Sequence, residues 1–508
     1  MPYTVPAHQR RLPDRVYPPD WLRREEPDAA QQTGITLYAL MQRAGEAAYQ
    51  HARRCYPNAR RWLVLCGQGN NGGDGYVVAT LARAAGIDTT VVACRSARPL
   101  PEEAQCAYAT WQKAGDVALT PDDPWPDGID LIIDGLLGTG LSSAPRAPYE
   151  ALIARANAHA APVLALDIPS GLNAQTGACA GEAIVAACTV TFIALKPGLL
   201  TGRARACVGA LHYADLGLST WLQQHPAPMR RLSREHLPGW LTPRSPLEHK
   251  GEHGRLLLVG GNAGMGGAIA MAGEAALRSG AGLVRVLTHT QYAAALLMAR
   301  PELMVHALSD TTLREGLDWA DVVVIGPGLG QDSWAKSALR AVENCNKPML
   351  WDADALNLLA MSPFKRQNRI LTPHPGEAAR LLNCRVAEIE SDRLLAARKL
   401  VQRYGGTVVL KGAGTVIADE SDALALADVG NPGMASGGMG DVLSGIIGAL
   451  LGQKLSRYAA ACAGCVVHGA AADALAEQHG TRGMLATDLM PVLSRYVNPE
   501  WIPLEKTE

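Results

Sequence analysis

Short apolar runs alternate with Ala-rich amphipathic stretches along almost the whole chain, and this alternation constrains the fold more than any other feature. The runs RWLVLC at 61–66 and RLLLVG at 255–260 have the length of strands, and polar or glycine-rich residues and then a helical pattern follow each of them. Strands that alternate with helices form parallel sheets with helices on both faces. The sequence therefore predicts an α/β fold.

The alternation occurs in two blocks, separated at 219–246 by a stretch rich in proline, arginine and glutamine. Strands are predicted at 61–66, 89–94, 129–134, 162–167, 188–194, 255–260, 283–288, 321–326, 348–352, 369–372, 407–411 and 414–418. Helices are predicted at 33–53, 266–280, 333–345, 376–383, 391–404, 439–452 and 457–477. We expect two domains, 1–218 and 231–508, joined by a linker at 219–230. The halves share no motif, which indicates a fusion and not a duplication.

Composition narrows the function classes. The formal net charge of -1 offers no basic footprint for nucleic acid. Eleven cysteines are an odd number for a disulfide framework, and the pair Cys462 and Cys465 is expected to pack in a helical core. The polar, proline-broken N-terminus does not resemble a signal peptide, and we expect no apolar run of the ~18 residues that a membrane span needs. We therefore expect a soluble cytoplasmic protein without nucleic-acid or membrane partners.

A glycine-rich loop, GQGNNGGDG, follows the first strand. Gly67, Gly69 and Gly72 match GxGxxG, a weak signal by itself, and Asp88 precedes the second strand where a dinucleotide-binding acid should end it. Consecutive glycines at a helix N-terminus would expose N–H groups to a pyrophosphate. The alternative is a tight turn between strand and helix.

Two later strands end in an acid and then a loop, IIDGLLGTG and LALDIPSGLN. Ligands bind at the carboxyl ends of strands in open α/β sheets, where Asn71, Asp134, Asp167 and Ser170 would all lie. Such oxygen ligands suit a hard cation. For any single acid the alternative is capping of the next helix.

NNGGDG, IIDGLLGTGL and DIPSGL, with LMQRAG before them, resemble the NAD(P)H-hydrate epimerase domain over about residues 14–218. The resemblance implies a Rossmann-like three-layer αβα domain that interconverts the R and S forms at C6 of the hydrated nicotinamide ring. It implies that NADHX or NADPHX contacts Asn70, Asn71, Gly72, Gly73, Asp74, Gly138, Thr139, Gly140, Leu141, Ser142, Ser143, Ala144 and Asp167. It also implies a potassium ion held by Asn71, Asp134 and Ser170.

The epimerase reaction must open or ionise C6, so that a carboxylate near the ring could move the proton. Asp167 is the predicted catalytic residue of this half. Arg146, in the loop LSSAPRAPY, could meet a phosphate or lie on the surface.

The segment NPGMASGGMGD at 431–441 precedes a predicted helix. Its four glycines between 433 and 440 would expose N–H groups that stabilise negative charge on a phosphoryl group in transfer. Asp441, in the first helical turn, could accept a hydroxyl proton as phosphoryl transfer requires. An acid that only stabilises its helix N-terminus would not explain the glycines.

GGMGD resembles the anion hole of the ribokinase-like superfamily. The motifs HKG, GGNAGMGGA, GPGLG, DAD, TPHPGE and KGAGT narrow the resemblance to the ADP/ATP-dependent NAD(P)H-hydrate dehydratases, over about 230–501. This implies a ribokinase-like αβα domain in which the hydrated dinucleotide contacts Ala263, Gly264, Met265, Gly266, Gly328, His374 and Asp441. It implies that the adenine nucleotide contacts Lys411, Gly412, Ala413, Gly414, Thr415, Asn431, Gly433, Ser436, Gly437, Gly438, Met439 and Gly440.

The dehydratase resemblance implies phosphorylation of the C6 hydroxyl by ADP or ATP, with Mg²⁺, and elimination of phosphate. Asp441 is the predicted base. Asp352 and Asp354 could serve Mg²⁺ indirectly or cap a helix that begins near 355. The sequence does not distinguish ADP from ATP, but the fused architecture resembles bacterial members of the family, which use ADP, and the family resemblance implies a homo-oligomer.

Three other functions compete with this interpretation. GGMGD also suits a kinase of a small vitamin or sugar alcohol, although TPHPGE and GNAGMGGA favour the dehydratase. The first half could be a non-catalytic dinucleotide sensor or scaffold, against which the presence of Asn71, Asp134, Asp167 and Ser170 weighs. A dehydrogenase is the third alternative.

Overall fold

The structure, a computed structural model, describes residues 12–113 and 117–501, so that the outer ends of both predicted domains lie outside the described residues. The chain divides between Arg230 and Arg231 into two compact units. Residues 219–230, the predicted linker, belong to the first unit and include a short helix whose Trp221 and Leu222 are buried.

The first unit contains a parallel six-stranded sheet. The strands of the sheet are β2 (Arg61–Cys66), β3 (Asp88–Ala93), β4 (Leu131–Gly135), β5 (Val163–Leu166), β6 (Cys188–Phe192) and β7 (Ala210–Ala214), and the short strand β1 (Arg15–Val16) lies outside it. Its helices are α1 (Pro19–Thr33), α2 (Leu37–Cys55), α3 (Asn70–Ala84), α4 (Glu102–Lys113), α5 (Tyr149–Ala158), α6 (Ala204–Cys207) and α7 (Ser219–Gln223). The strand order is β3-β2-β4-β5-β6-β7.

Helices cover both faces of this sheet. Successive residues of its strands therefore pack in two different hydrophobic clusters. In β2, Trp62 and Val64 pack in one hydrophobic cluster, whereas Leu63 and Leu65 pack in another. A strand buried on both faces is a continuous apolar run, which is the pattern of the sequence here. The predicted α/β fold is confirmed.

The second unit contains a larger, mixed sheet. After β8 (Met229–Leu232), which crosses the boundary, its strands are β9 (Arg255–Val259), β10 (Leu283–Thr288), β11 (Met304–Ala307), β12 (Val322–Ile325), β13 (Met349–Trp351), β14 (Arg369–Leu371), β15 (Thr407–Leu410), β16 (Thr415–Ala418) and β17 (Leu424–Ala427). The order of the last nine is β17-β16-β15-β14-β13-β12-β9-β10-β11. Pairing is parallel from β15 to β11 and antiparallel among β15, β16 and β17.

The helices of this unit are α8 (Leu237–Trp240), α9 (Gly266–Arg278), α10 (Thr290–Ala299), α11 (Asp310–Trp319), α12 (Ser333–Glu343), α13 (Asp354–Met361), α14 (Pro375–Leu382), α15 (Val386–Ser391), α16 (Arg393–Tyr404), α17 (Met439–Gly452), α18 (Arg457–His479) and α19 (Met490–Val497). α18 corrects one expectation, because it is long and apolar enough to cross a membrane by length and composition. Its apolar stretch is 89% buried inside the protein, which makes it a core helix. Cys462 and Cys465 pack in that core, as predicted.

Several elements were not predicted, and each has a local reason. β11 lies at the sheet edge and is only partly buried, so it lacks a continuous apolar run. β17 consists of leucine and alanine, which favour helices, and its pairing with β16 decides its conformation. α1 is polar and contains Pro27, so that its sequence resembles a loop.

Close packing of α17 on α9 requires glycine at 445. A Cβ there would lie 2.1 Å from the backbone oxygen of Ala272. We expect Gly445→Ala to lower the free energy of unfolding of the second unit by about 1–3 kcal/mol, because backbone atoms must move apart. Gly239→Ala is the matched control, since no atom lies within 4 Å of its added Cβ. Equal urea midpoints for the two variants would contradict this account.

Candidate functional site

Asp134, at the end of β4, is the centre of a buried hydrogen-bond network in the first unit. Its carboxylate accepts the Ser170 hydroxyl at 2.6 Å and the backbone N–H groups of Ser170 and Leu136 at 2.8 and 3.2 Å. Burial raises the pKa of Asp134 to about 6, although these donors oppose the rise. All of these donors are neutral, so the ionised carboxylate retains its charge.

Asn71, in the first turn of α3, extends this network from the neighbouring helix. Its amide nitrogen donates to the Leu137 carbonyl at 3.0 Å, and the Ser170 hydroxyl lies 3.2 Å from that carbonyl. The amide oxygen of Asn71 is buried and has no hydrogen-bond partner within the described residues. A buried acceptor without a donor, beside a buried carboxylate, is an environment that fits a cation with oxygen ligands.

Asp167 follows β5 and is held by a lysine that the sequence analysis missed. Its Oδ1 accepts from the Lys196 ammonium, from the Thr191 hydroxyl at 3.1 Å and from the Phe192 N–H at 3.0 Å. The Lys196 side chain is 4% exposed and that of Asp167 is 17% exposed. Asp167 has φ +61°, in the left-handed region, which non-glycine residues adopt mostly at special positions.

A cavity of about 260 Å³ lies over this edge of the sheet. Predicted site residues that line it are Asn70, Asn71, Asp74, Gly138, Thr139 and Asp167. Lining residues that the sequence analysis missed include Arg23 and Glu26 of α1, Glu103 of α4, and Lys196. The cavity therefore combines several carboxyl groups with two cationic side chains.

The other residues predicted to bind the substrate in this half do not line the cavity. Gly72 and Gly73 are buried, and a Cβ on either would meet neighbouring atoms within 3 Å. Residues 140–144 lie outside the cavity lining, and 142–144 are exposed. Arg146 is also exposed and lies outside the cavity lining, whereas Arg23 lines the cavity.

Two acids of the cavity have altered pKa values. Burial, with the charges of Asp167 and Glu26, raises the pKa of Asp74 well above its usual value. Burial and the charge of Asp167 raise the pKa of Glu26 to about 6, although Lys196 opposes the rise. Clustered carboxyl groups with raised pKa values are typical of functional sites.

In the second unit, Asp352 after β13 forms a buried ion pair with Lys411 after β15. The Lys411 ammonium lies 2.9 Å from Asp352 Oδ1. Hydroxyls of Thr372 and Ser444 donate to the two carboxylate oxygens, each at 2.8 Å. Burial disfavours the lysine charge, but Asp352, Glu377 and Asp441 together raise the Lys411 pKa. Both carboxylate oxygens of Asp352 therefore already accept hydrogen bonds, from Lys411 and from two hydroxyls.

Asp441 lies beside this pair, in the first turn of α17, and its carboxyl group has no hydrogen bond within the described residues. Burial and the charge of Asp352 raise its pKa to about 7, although Lys411 lowers it. Gly438 begins the helix with φ +92°. A Cβ on Gly440 would lie 3.2 Å from the Lys411 ammonium, so glycine keeps the space over the lysine open.

Within each of the two predicted binding regions, loops that are distant in sequence lie against each other. Gly328, with φ +58°, lies against the loop 263–266, where a Cβ would come 2.6 Å from the Met265 carbonyl. The Lys411 ammonium, from the KGAGT loop, lies close to Gly440 of the glycine-rich segment. Ser436 Oγ is buried without a hydrogen-bond partner in the described chain, as a group that awaits a ligand would be.

Two predicted residues have clear structural roles. His374 is the N-cap of α14, where its Nδ1 accepts the Gly376 N–H at 2.9 Å, and the Nε2 of its half-exposed ring lies 3.4 Å from Glu377 Oε1. Burial and Lys411 lower the pKa of His374. Asp354 begins α13 and accepts the Gly330 N–H at 2.8 Å. Asp354 therefore joins the GPGLG loop to the helix.

Arg393 of α16, which the sequence analysis missed, donates hydrogen bonds to backbone carbonyls at the start of the KGAGT loop. It is buried and donates to the carbonyls of Leu410 and Lys411 at 3.2 and 3.0 Å. No local motif marks it, because the interaction joins positions 17 and 18 residues apart.

Comparison with known proteins divides the chain in the same way. Residues 37–198 match a family model described as YjeF-related protein N-terminus, and residues 256–495 match one described as NAD(P)H-hydrate dehydratase.

Full-length relatives combine both parts. The chain is 63% identical to a bifunctional NAD(P)H-hydrate repair enzyme of Escherichia coli, over 98% of this chain and 97% of the relative. It is 45% identical to the enzyme of the same description from Leishmania braziliensis, over 97% of this chain and 95% of that one. A solved ribokinase-like superfamily protein of Enterococcus faecalis is 33% identical, with a TM-score of 0.50, and covers 54% of this chain and 97% of its own.

The pair Lys196–Asp167 is buried enough for the loss of one partner to be costly. We expect Lys196→Met to lower the free energy of unfolding of the first unit by about 3–5 kcal/mol, because a carboxylate is left without its counter-charge. Adding Asp167→Asn should recover part of the loss. Chemical denaturation of both variants, with exposed Lys113→Met as control, measures this. No recovery in the double variant would show that the pair is not the cause.

Proposed function

The chain belongs to the family of bifunctional NAD(P)H-hydrate repair enzymes, and we propose that it restores NADH and NADPH from their hydrates in two steps. The first unit epimerises the R and S forms at C6, and the second dehydrates the S form with an adenine nucleotide. One observation carries the proposal most directly: Asp441, which has no hydrogen bond or ion pair within the described residues, interacts electrostatically with Lys411 at a glycine-rich helix start. A base next to an anion-binding loop is the arrangement that phosphoryl transfer to an alcohol requires.

The dehydratase step begins at the C6 hydroxyl, which is a poor leaving group. Asp441 takes its proton as the oxygen attacks the terminal phosphoryl of the nucleotide. Lys411 and the N–H groups of 436–440 stabilise the negative charge on the phosphoryl oxygens. The C6–O bond then breaks and phosphate departs with the electron pair. The electron pair of the ring nitrogen assists, and loss of a proton from C5 restores the reduced nicotinamide.

We propose ADP as the preferred nucleotide, which gives AMP and phosphate, and Mg²⁺ as its counter-ion. Mg²⁺ supplies charge neutralisation at the phosphates and normally retains several of its waters. The oxygens of Asp352 already accept from Lys411, Thr372 and Ser444, so the chain fits an ion that is carried by the nucleotide.

For the epimerase we propose that the hydrated nicotinamide enters the cavity beside Asp167. Potassium would be held by Asn71, Asp134 and Ser170, with the unsatisfied amide oxygen of Asn71 as the supporting observation. When bound, potassium supplies charge balance for the buried carboxylate. Lys196 holds Asp167 in one orientation and neutralises part of its charge.

We also propose a cytoplasmic homo-oligomer. All eleven cysteines are free thiols, as is usual in a reducing compartment. Helix α10 exposes Leu297 and Met298, which are 47% and 83% exposed and could contact a second copy. Sedimentation that finds only monomer at micromolar concentration would reject self-association.

The test of the proposed function uses the purified chain with mixed R and S NADHX, K⁺, Mg²⁺ and either ADP or ATP. Complete recovery of reduced-nicotinamide absorbance, with phosphate release, supports both activities. Recovery that stops at the S fraction, after correction for spontaneous epimerisation, indicates a non-catalytic first unit. A phosphorylated product that accumulates, without recovery, indicates a small-molecule kinase. Net hydride transfer to a second substrate indicates a dehydrogenase.

Asp441→Asn should lower kcat of the dehydratase by about 10²- to 10⁴-fold, because the hydroxyl loses its base. Asp419→Asn, in the turn after β16, is the control. The R and S forms should still equilibrate in the Asp441 variant, because that reaction belongs to the other unit. A variant that dehydrates at the wild-type rate would remove Asp441 from the mechanism.

The dehydratase should also depend on pH through Asp441. Its raised pKa, about 7, means that the carboxylate that accepts the proton is lost as pH falls below that value. We expect log kcat to rise with pH and to level off above about 7. The measurement is kcat between about pH 5.5 and 8, a range on both sides of that pKa. A kcat that does not change across this range would contradict the role of Asp441 as the base.

Replacement of K⁺ by Li⁺ at equal ionic strength should slow epimerisation and lower the thermal midpoint of the first unit, because Li⁺ is too small for these ligands. Ser170→Ala should raise the K⁺ concentration for half-maximal effect by at least about tenfold. The thermal midpoint reports binding independently of activity. Identical midpoints in both salts would exclude the site.

A further inference from the structure

Glu26 of α1 is a carboxyl group for which the described part of the chain provides no partner. It lines the cavity of the first unit, and within the described residues it makes no hydrogen bond or ion pair. Two other acids of the same helix do have partners: Asp20 lies 2.5 Å from Arg23, and Glu25 lies 2.9 Å from Arg24. An unpaired carboxyl that faces a cavity requires an explanation, because burial without a partner costs free energy.

Asp167, across the same cavity, has the opposite environment. Its Oδ1 accepts from the Lys196 ammonium, from the Thr191 hydroxyl and from the Phe192 N–H. All of these donors bond to one oxygen of its carboxyl group. Two carboxyl groups in one cavity, one with a cationic partner and the other without, have the different environments by which enzymes separate the roles of acid and base.

We propose that Glu26 is the catalytic acid of the epimerase, which protonates the C6 hydroxyl as it leaves, and that Asp167, held by Lys196, does not donate that proton. The inference rests on the function proposed above for the first unit and adds to it a residue and a division of roles. Asp167 then serves as the counter-charge and as the base for the incoming water.

The reaction balances with these two groups and solvent water. The Glu26 proton passes to the hydroxyl oxygen, the C6–O bond breaks with its electron pair on oxygen, and water leaves. The electron pair of ring N1 forms an N1=C6 bond, and the Asp167 carboxylate stabilises the positive charge. Water adds to the opposite face of C6 and gives its proton to Asp167. Solvent returns that proton to Glu26, so nothing is oxidised or reduced.

The charges around Glu26 suit a group that gives and regains a proton near neutral pH. Burial and Asp167 raise its pKa to about 6, Lys196 opposes them, and Glu103 adds to the rise. The groups that face it are Arg23 on its own helix, Asp74 of α3, Glu103 of α4, Asp167 after β5 and Lys196 after β6. The active form is the protonated acid, so activity should decline as pH rises above about 6.

The experiment follows equilibration of pure S-NADHX with the R form by the full-length chain in K⁺ without nucleotide, after subtraction of the spontaneous rate. We expect Glu26→Gln to lower kcat by about 10²-fold or more with little change in KM, and Glu26→Asp to recover part of it. The decline of kcat above about pH 6 should be absent from the residual rate of Glu26→Gln. Glu25→Gln, on the same helix and outside the cavity lining, is the matched control.

Outcomes separate this inference from the proposed function. A wild-type chain that does not speed equilibration rejects the epimerase itself and, with it, the role of Glu26. A wild-type chain that does, with Glu26→Gln equal to it in kcat and pH profile, overturns the role of Glu26 alone. If Glu26→Gln does not fold, as shown by loss of the thermal transition of the first unit, the kcat and pH profile of Glu26→Asp decide whether Glu26 is the acid. A lower kcat with a displaced pH decline supports the proposal, and a wild-type profile overturns it.

Discussion

A buried lysine–aspartate ion pair lies at the carboxyl edge of the sheet in each unit, and the chemistry of both sites depends on it. Lys196 holds Asp167 in the first unit, and Lys411 holds Asp352 in the second. Removal of either charge from water costs several kcal/mol, which only a close partner can offset. The pairs persist because hydroxyl or backbone groups also bond to the carboxylates.

Beside each pair lies another acid that forms no ion pair within the described residues. The positive charge of Lys411 is shared with Asp352, so that burial prevails at Asp441 and raises its pKa. The charge of Lys196 is shared with Asp167, and the pKa of Glu26 rises for the same reason. Two different αβα units have thus reached the same electrostatic arrangement, a neutralised pair next to an acid that can exchange a proton near neutral pH.

Parallel topology brings these groups together, and glycine allows their approach. Loops at the carboxyl ends of adjacent strands meet at one edge, so β4 and β5 bring Asp134 and Ser170 into contact. At the second site, Gly440 leaves room over the lysine that a Cβ would fill. Glycine is needed where backbone and charge must come close, and sequence motifs record that need well.

Much of the fold and part of each site could be predicted from the chain alone. The continuous apolar runs predicted β2 and β9, and motif order predicted that Asn71, Asp134 and Ser170 converge. The prediction missed α1, whose polar sequence contains a proline, and therefore missed Glu26. It also missed Lys196, because an isolated lysine after a strand has no pattern to distinguish it from a surface residue.

The sequence by itself determined which segments become strands, helices and glycine-rich loops, since these depend on periodicity and on local backbone freedom. Only the tertiary structure decided which acids of the described residues form ion pairs and which do not. Asp167 meets a lysine 29 residues away, and Asp352 meets one 59 residues away. Ionisation depends on burial and on charges within a few ångströms, and those distances exist only after the sheet has brought distant loops to one edge.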